Sequence, residues 1–203
     1  MGRTQIQRKA DTRARLLAAA AELFAVHGID AVSVDAVAEA AERTSGAVYA
    51  HFGSKQGLLL ALLDEWKHSL VTVIAAEFEL ATSVEERLRA VAANVVAEPS
   101  EQTRRMLLLE QELWLRAARD PEVGAALRAR LRDSHERMAR GFANWIESGT
   151  IPPGTDAADL ATAFRAVVLG LVMQCRVAPD LVDEASAERA LATVLHLETV
   201  TTD

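Results

Sequence analysis

A single cysteine in 203 residues removes two chemistries at once. Cys175 has no second cysteine to close an internal disulfide, and no cysteine-based zinc site can be assembled around it. Aromatic residues make up 4% of the chain, with one tyrosine, which speaks against a large aromatic-caged ligand site. Only five prolines interrupt a chain dominated by Ala and Leu, so helix is favoured nearly everywhere. No uninterrupted apolar run reaches spanning length; the longest candidate, 157–177, is broken by Arg165. The N-terminus is basic but leads into an amphipathic segment, not a signal-peptide core. His27, His51, His68, His135 and His196 show no metal-ligand spacing. Nucleophile elbow, glycine-rich phosphate loop and His-Glu-x-x-His are all missing. The expectation is a soluble, cytoplasmic, non-enzymatic chain with no cofactor and no metal.

What is present is an apolar half of the chain, enough for a sizeable core, and an uneven charge. The net charge of −7 argues against nucleic acid by itself. Yet Arg3, Arg8, Lys9, Arg13 and Arg15 crowd the first fifteen residues against Asp11 alone, while the acidic excess falls beyond residue 55. A basic arm and near-neutral head on an acidic body suit a protein that meets phosphates with one end.

Apolar spacing places a first helix from Asp11 to His27, capped by Asp11 or Thr12 and stopped by Gly28. Ser33 caps a short second helix with Val34, Val37, Ala38 and Ala41 inward. Thr44 or Ser45 caps a third, with Val48 and Phe52 inward. A fourth runs from Lys55 to about Ala81, and its Leu58–Leu63 stretch is apolar almost all round, so it must be buried on most sides. Ser83 and Glu86 read as a capping box. Further helices follow at about 100–119, 121–148, 157–177 and 185–198, with Asp120-Pro121 opening one and 149–155 forming a loop. The fold class is therefore all-α, about nine helices and no strand.

The stretch Ser33–Phe52 reads as two short helices about a tight turn, the second opening with small and hydroxyl side chains. Its residues Val37-Ala38-x-x-Ala41, Thr44-x-Gly46-x-x-Tyr49-x-His51-Phe52 and Ser54-Lys55-x-x-Leu58, preceded by Phe24-x-x-x-Gly28, agree in order and spacing with a known pattern. Over about residues 12–63 the chain resembles the TetR-type bacterial transcription regulators. The resemblance implies an N-terminal three-helix helix-turn-helix DNA-binding domain over 1–54. A connector helix then leads into a helical effector-binding and dimerisation domain over 55–203. It implies a repressor that binds a palindromic double-stranded operator as a homodimer, with half-sites ~34–36 Å apart, and is released by a small-molecule effector.

On this reading the DNA-facing residues are Ser33, Arg43, Thr44, Ser45, Gly46, Ala47, Tyr49, His51 and Lys55. Small Ser45, Gly46 and Ala47 let the helix approach base edges; Thr44 and Ser45 offer hydroxyls at a helix N-terminus that favours anions. Tyr49, His51, Lys55 and Ser33 are placed at phosphates, which set register. The chain departs from the family at Glu42-Arg43, where Gly-Val is usual. Glu42 there either carries strain or the turn differs, and Arg43 is read as facing the groove, where arginine prefers guanine.

In the body, Trp66, Met106, Glu110, Trp114, Met138, Phe142 and Trp145 are the candidate effector-pocket residues, Trp and Met being suited to an adaptable apolar site. Leu160, Phe164, Val167 and Leu171 with Leu191, Val194 and Leu195 form stripes read as a dimer surface, with Ala163, Ala166 and Gly170 allowing close helix approach. Two other classes stand beside this reading: an enzyme, which no motif supports, and a helical interaction module that has lost specific DNA binding, to which the Glu42-Arg43 turn lends some weight.

Overall fold

The computed structural model describes residues 4–196, the side chains of 70, 71 and 73–79 excepted. Among the described residues there are nine helices and no strand. They are α1 (Gln5–Ala31), α2 (Val34–Ala40), α3 (Ser45–Phe52), α4 (Lys55–Leu80), α5 (Val84–Val96), α6 (Glu101–Ala117), α7 (Pro121–Glu147), α8 (Ala157–Val177) and α9 (Glu184–Val194). The final helix ends at Val194 with Leu195 as its cap, short of the predicted Glu198, which itself lies outside the described residues. The chain forms two compact units, each discontinuous in sequence. The first joins residues up to Leu70 to Pro99–Leu127; the second joins Val71–Glu98 to the chain from Arg128 onward.

In the first unit, α1 begins earlier than its apolar spacing predicts. The Thr4 hydroxyl accepts from the Gln7 amide at 3.2 Å, and the Gln7 side-chain oxygen accepts from the Thr4 amide at 2.8 Å. That reciprocal pair satisfies orphan amides of the first turn, so helix starts at Gln5 and Arg8, Lys9, Arg13 and Arg15 are helical. Asp11 and Thr12 lie inside the helix, not at its cap. Gly28, at φ 77°, breaks α1 before a last turn to Ala31. The break frees the Ile29 amide, which donates to the Glu112 carboxylate of α6 at 3.2 Å. Leu16, Leu17, Ala20 and Phe24 of α1 are buried, as are Val37 and Ala38 of α2, Val48 of α3, Leu58, Leu59 and Leu63 of α4, and Met106, Leu109 and Leu113 of α6. Each large side chain among them contributes roughly 1.5–3 kcal/mol of transfer free energy. The connector's leucine run is thus buried as its composition requires.

A glycine at the α3–α4 junction has no substitute. A Cβ at Gly57, in the first turn of α4, would fall 2.0 Å from the Phe52 carbonyl oxygen of α3. The angle between the third and fourth helices therefore depends on a missing side chain.

In the second unit, α5, α8 and α9 pack on one another. Leu88, Ala92, Phe142, Ile151, Leu160, Ala161, Ala187, Leu191 and Leu195 form its core. Phe142 sits edge-on to Trp145 at 5.8 Å and to Phe164 at 5.4 Å between ring centroids. Ser83 caps α5 through the Glu86 amide, as predicted, but the Glu86 carboxylate accepts from the Thr82 amide at 2.6 Å and the Thr82 hydroxyl at 2.9 Å. The capping box is thus shifted one residue back, and those Thr82 bonds hold Glu86 below the usual carboxylate pKa. Asp156 caps α8 through the Ala158 and Asp159 amides. By length and composition α8 could cross a membrane, yet only 17% of its apolar window is buried within the chain.

Candidate nucleic-acid interface

The turn between α2 and α3 keeps its geometry without glycine. The Glu42 amide donates to the Glu39 carbonyl at 2.9 Å and the Arg43 amide to the Ala38 carbonyl at 2.8 Å. These are the two bonds of a Schellman motif, whose left-handed position falls on Glu42 at φ 54°. Of the two predicted outcomes, strain or an altered turn, the structure shows a left-handed glutamate in an unaltered turn. Its side chain is 82% exposed and lies 3.6 Å from Arg15 of α1.

Arg43, read from the sequence as a groove residue, is half-buried and its guanidinium is engaged by α1 and the turn. Its Nε donates to Thr12 Oγ1 at 3.3 Å, Nη1 donates to the Glu42 carbonyl at 2.8 Å, and Nη2 lies 3.5 Å from the Asp11 carboxylate. Arg15 joins the same group, its Nε 3.4 Å from Asp11. The two departures from the family pattern are therefore tied to α1 by charge. A half-buried guanidinium with three internal partners serves the protein's own packing before any ligand.

Thr44 caps α3 by accepting from the Ala47 amide at 3.3 Å, and Ser33 caps α2 by accepting from the Ala36 amide at 3.0 Å; both are exposed. The Ser45 hydroxyl donates to the Asp35 carboxylate, tying the start of α3 to α2. Ala47 is half-buried. The outward face of α3 consists of Gly46, Tyr49 and Ala50, with Gly53 exposed at its cap. Tyr49 is 55% exposed. A Cβ added at Gly46 would meet nothing nearer than 3.7 Å, and its φ is not left-handed, so nothing inside the chain requires glycine there. Motif matching alone misses Ala50, although helical spacing from Gly46 puts it on the same face.

His51 packs beside Phe52 with ring centroids 5.8 Å apart. Desolvation first, then Lys9 and Arg13 of α1, hold its pKa below the ordinary imidazole value. Arg13 lies over the Phe52 ring at 5.8 Å and pairs with Glu65 of α4 at 2.5 Å, joining α1, α3 and α4. Lys55 donates to the Asp30 carbonyl at 3.3 Å, and its pKa is lowered by desolvation and then by Arg116. Asp30 also pairs with Arg116 of α6. Ile29, Lys55, Leu59, Leu113 and Arg116 line a cleft of about 10 Å³, room for about one water and no effector.

The pocket candidates divide between the two units. Trp66, Met106, Glu110 and Trp114 fall in the first, and Met138, Phe142 and Trp145 in the second. Met106 is buried core, Trp66 is half-buried, and Trp114 is 38% exposed. Glu110, which helical position would more often leave solvated, is 6% exposed and pairs with Lys67 of α4. Met138, Phe142 and Trp145 pack with Phe164 in or against the second core. Of the dimer candidates, Leu160, Leu171, Leu191 and Leu195 are buried in that core, and Phe164, Val167 and Val194 pack against it. All seven predicted dimer residues therefore bury at least part of their side chains within their own chain. The α8 face turned outward carries Ala163, Ala166, Met173 and Val177, with Gly170 half-buried among them.

Two family profiles match the chain, and the second spans residues of both units. The family profile of bacterial regulatory proteins of the tetR family matches residues 16–62. A second profile, the C-terminal part of BetI-type transcriptional repressors, matches residues 84–199. The HTH-type transcriptional regulator TtgR of Pseudomonas putida is 29% identical over 177 residues, covering 85% of this chain and 84% of that one. A TetR-family transcriptional regulator from Rhodococcus sp. superposes with a TM-score of 0.74 at 22% identity, over 94% of this chain and all of the other, 100%. A transcriptional regulator from Saccharomonospora viridis, solved in complex with choline, gives 0.64 at 20% identity, over 92% of this chain and 96% of that one. At such identities the two structures speak for the fold alone.

Proposed function

The chain belongs to the TetR family of bacterial DNA-binding transcriptional regulators, and on that premise we propose that it is a repressor reading a palindromic operator as a homodimer and released by a small-molecule effector. The observation that carries the reading half of this proposal is the outward face of α3. Gly46, Tyr49 and Ala50 are exposed on a helix whose inner face is locked by Val48 and whose start is pinned by Ser45 to Asp35. No internal contact explains why Gly46 is bare. Close approach of something from outside does, and a helix of this kind in the major groove is the approach the family uses. Thr44, Ser33, Tyr49 and Lys55 then meet phosphates, with His51 behind them. A reader of bacterial DNA works in the cytoplasm.

The homodimer is supported by α8. An apolar helix left mostly unburied by its own chain needs another apolar surface. Arg165 and Arg176 on it weigh against lipid, and the small Ala163, Ala166 and Gly170 favour close packing of a second copy. An interface of roughly 1,500 Å² is expected. Release is proposed to pass through α6. Glu112 holds the amide freed by the α1 break, and Arg116 shares Asp30 with Lys55, the first residue of α4. A shift of α6 would be felt at the α3–α4 junction that Gly57 keeps tight. An effector does this only through its differential affinity for the two positions.

Selection of bound sequences from random DNA tests the proposal. An enriched inverted repeat, with half-site centres about one DNA turn apart (~34–36 Å), is the expected result. Equal affinity for every sequence would sink it. Sedimentation of the free protein checks the dimer, and a monomer at micromolar concentration would remove α8 from the scheme.

A further inference from the structure

The second unit holds an arginine that its own chain does not finish pairing. Arg165 stands on the otherwise apolar α8, and its Nη1 donates to the Leu131 carbonyl of α7 at 3.3 Å. Its Nε and Nη2 are shut off from solvent and meet no acceptor. Together these nitrogens form one edge of the guanidinium fork, the edge that takes a carboxylate through two parallel hydrogen bonds. Donors closed from solvent and left without an acceptor cost free energy even on a half-buried residue, so this edge of the guanidinium is open to an acceptor. Burial pushes the Arg165 pKa down, and no neighbouring acid acts to hold it up.

The surroundings define the rest of the ligand. Arg165, Leu169, Val172 and Arg176 recur at four, three and four residues and are all half-buried, so they form one stripe of α8. This stripe lies between the core stripe of Leu160, Phe164 and Leu171 and the outward stripe of Ala163, Ala166 and Met173. Leu169 and Val172 offer only apolar surface for about two turns beyond the charge. We propose that Arg165 anchors the carboxylate of a small organic acid whose apolar body lies along Leu169 and Val172. This deepens the effector reading above and rests on it. A carboxylate from a second copy of the chain is the competing occupant, and it would show as a shift in the dimer equilibrium.

The test uses the full-length protein, with octanoate as probe and octanamide and choline as neutral and cationic controls, by calorimetry without DNA. Octanoate should bind about tenfold or more tightly than octanamide, the factor expected for hydrogen bonds to a charged group, and choline should not bind. Arg165→Met should lose octanoate by a similar factor. It should also melt higher than the wild type without acid, while octanoate raises the wild-type melting point and leaves the variant unmoved. Equal binding of octanoate and octanamide, no binding of octanoate, or a lower melting point for Arg165→Met would each overturn the proposal. A variant that shifts only the dimer equilibrium would overturn it too, in favour of a partner carboxylate. Operator release is scored separately. Octanoate binding without release leaves the site standing and sinks the effector reading; release by a neutral compound without octanoate binding does the reverse.

Discussion

The two units treat their polar groups differently. In the first, the charges near the core are answered from within: Glu110 by Lys67, Asp30 by Arg116 and Lys55, Arg43 by Asp11 and Thr12, the Ile29 amide by Glu112. In the second, Arg165 keeps two dry nitrogens unanswered and Arg87 keeps its Nε unanswered above the Trp145 ring. A unit with its polar groups paired is a rigid scaffold, and what it leaves over, the bare face of α3, can be read as aimed outward. The second unit, with dry and unpaired donors, is the one to which the proposed carboxylate is assigned. Preorganisation and waiting thus leave opposite traces in one chain.

The sharpest break of this comparison is Gly46→Leu. It should abolish operator binding, a loss of about a hundredfold or more, with no loss of stability, because helical glycine is itself destabilising by roughly 0.5–1 kcal/mol relative to alanine. Fluorescence anisotropy on the selected operator and thermal melting check the two halves. Unchanged affinity would remove the outward face from the groove. Next in size, Tyr49→Ala and Lys55→Ala should each weaken binding by about tenfold, and Lys55→Ala should lower the salt slope by about one. A slope that does not move would assign Lys55 to Asp30 alone.

A smaller effect tests whether the scaffold is tuned by what it binds. Desolvation first, then Lys9 and Arg13, put the folded pKa of His51 below its unfolded value. The unfolded state then binds the proton more readily. Stability from this group is full above the unfolded value of about 6.5 and falls as pH drops through it. Phosphates offset Lys9 and Arg13 and raise the pKa, so DNA binding takes up protons. Operator affinity should therefore rise by a few-fold as pH falls from about 7.5 toward the depressed value, and His51→Gln should flatten the profile. A profile equally steep in the variant assigns the proton elsewhere.

Much of the reading head is legible in the sequence because motif, cap and period point the same way. Ser33 and Thr44 have the chemistry of caps and serve as caps; Val48 has the spacing of a core residue and is one. The illegible parts depend on contacts distant in sequence or on caps that compete with period. The start of α1 goes to Thr4 because a capping box outranks apolar period, and Arg43 is engaged by α1 because Asp11 and Thr12 lie across from it. Gly57 carries no signal until the Phe52 carbonyl is seen beside it. The pocket is least legible: Trp and Met at helical spacing also describe ordinary core, which is where Met106 and Phe142 lie.

The smallest expected effect bears on the strained residue of the scaffold. Glu42 holds a left-handed backbone that costs an L-residue roughly 1–2 kcal/mol, where glycine would rest without it. Its compensation is an exposed ion pair to Arg15 at 3.6 Å, a contact of a kind that contributes at most a few tenths of a kcal/mol. Glycine loses more chain entropy on folding, which returns part of the gain. Glu42→Gly should therefore stabilise the protein by about 0.5–1 kcal/mol in urea unfolding. Operator affinity should stay within about twofold, because the Ala38 and Glu39 carbonyls keep the turn closed either way. A stable variant that binds operator poorly would mean that the strain serves the reading of DNA. A less stable variant would mean that the charges of Asp11, Arg15, Glu42 and Arg43 act as one network, stronger than their separate exposed pairs.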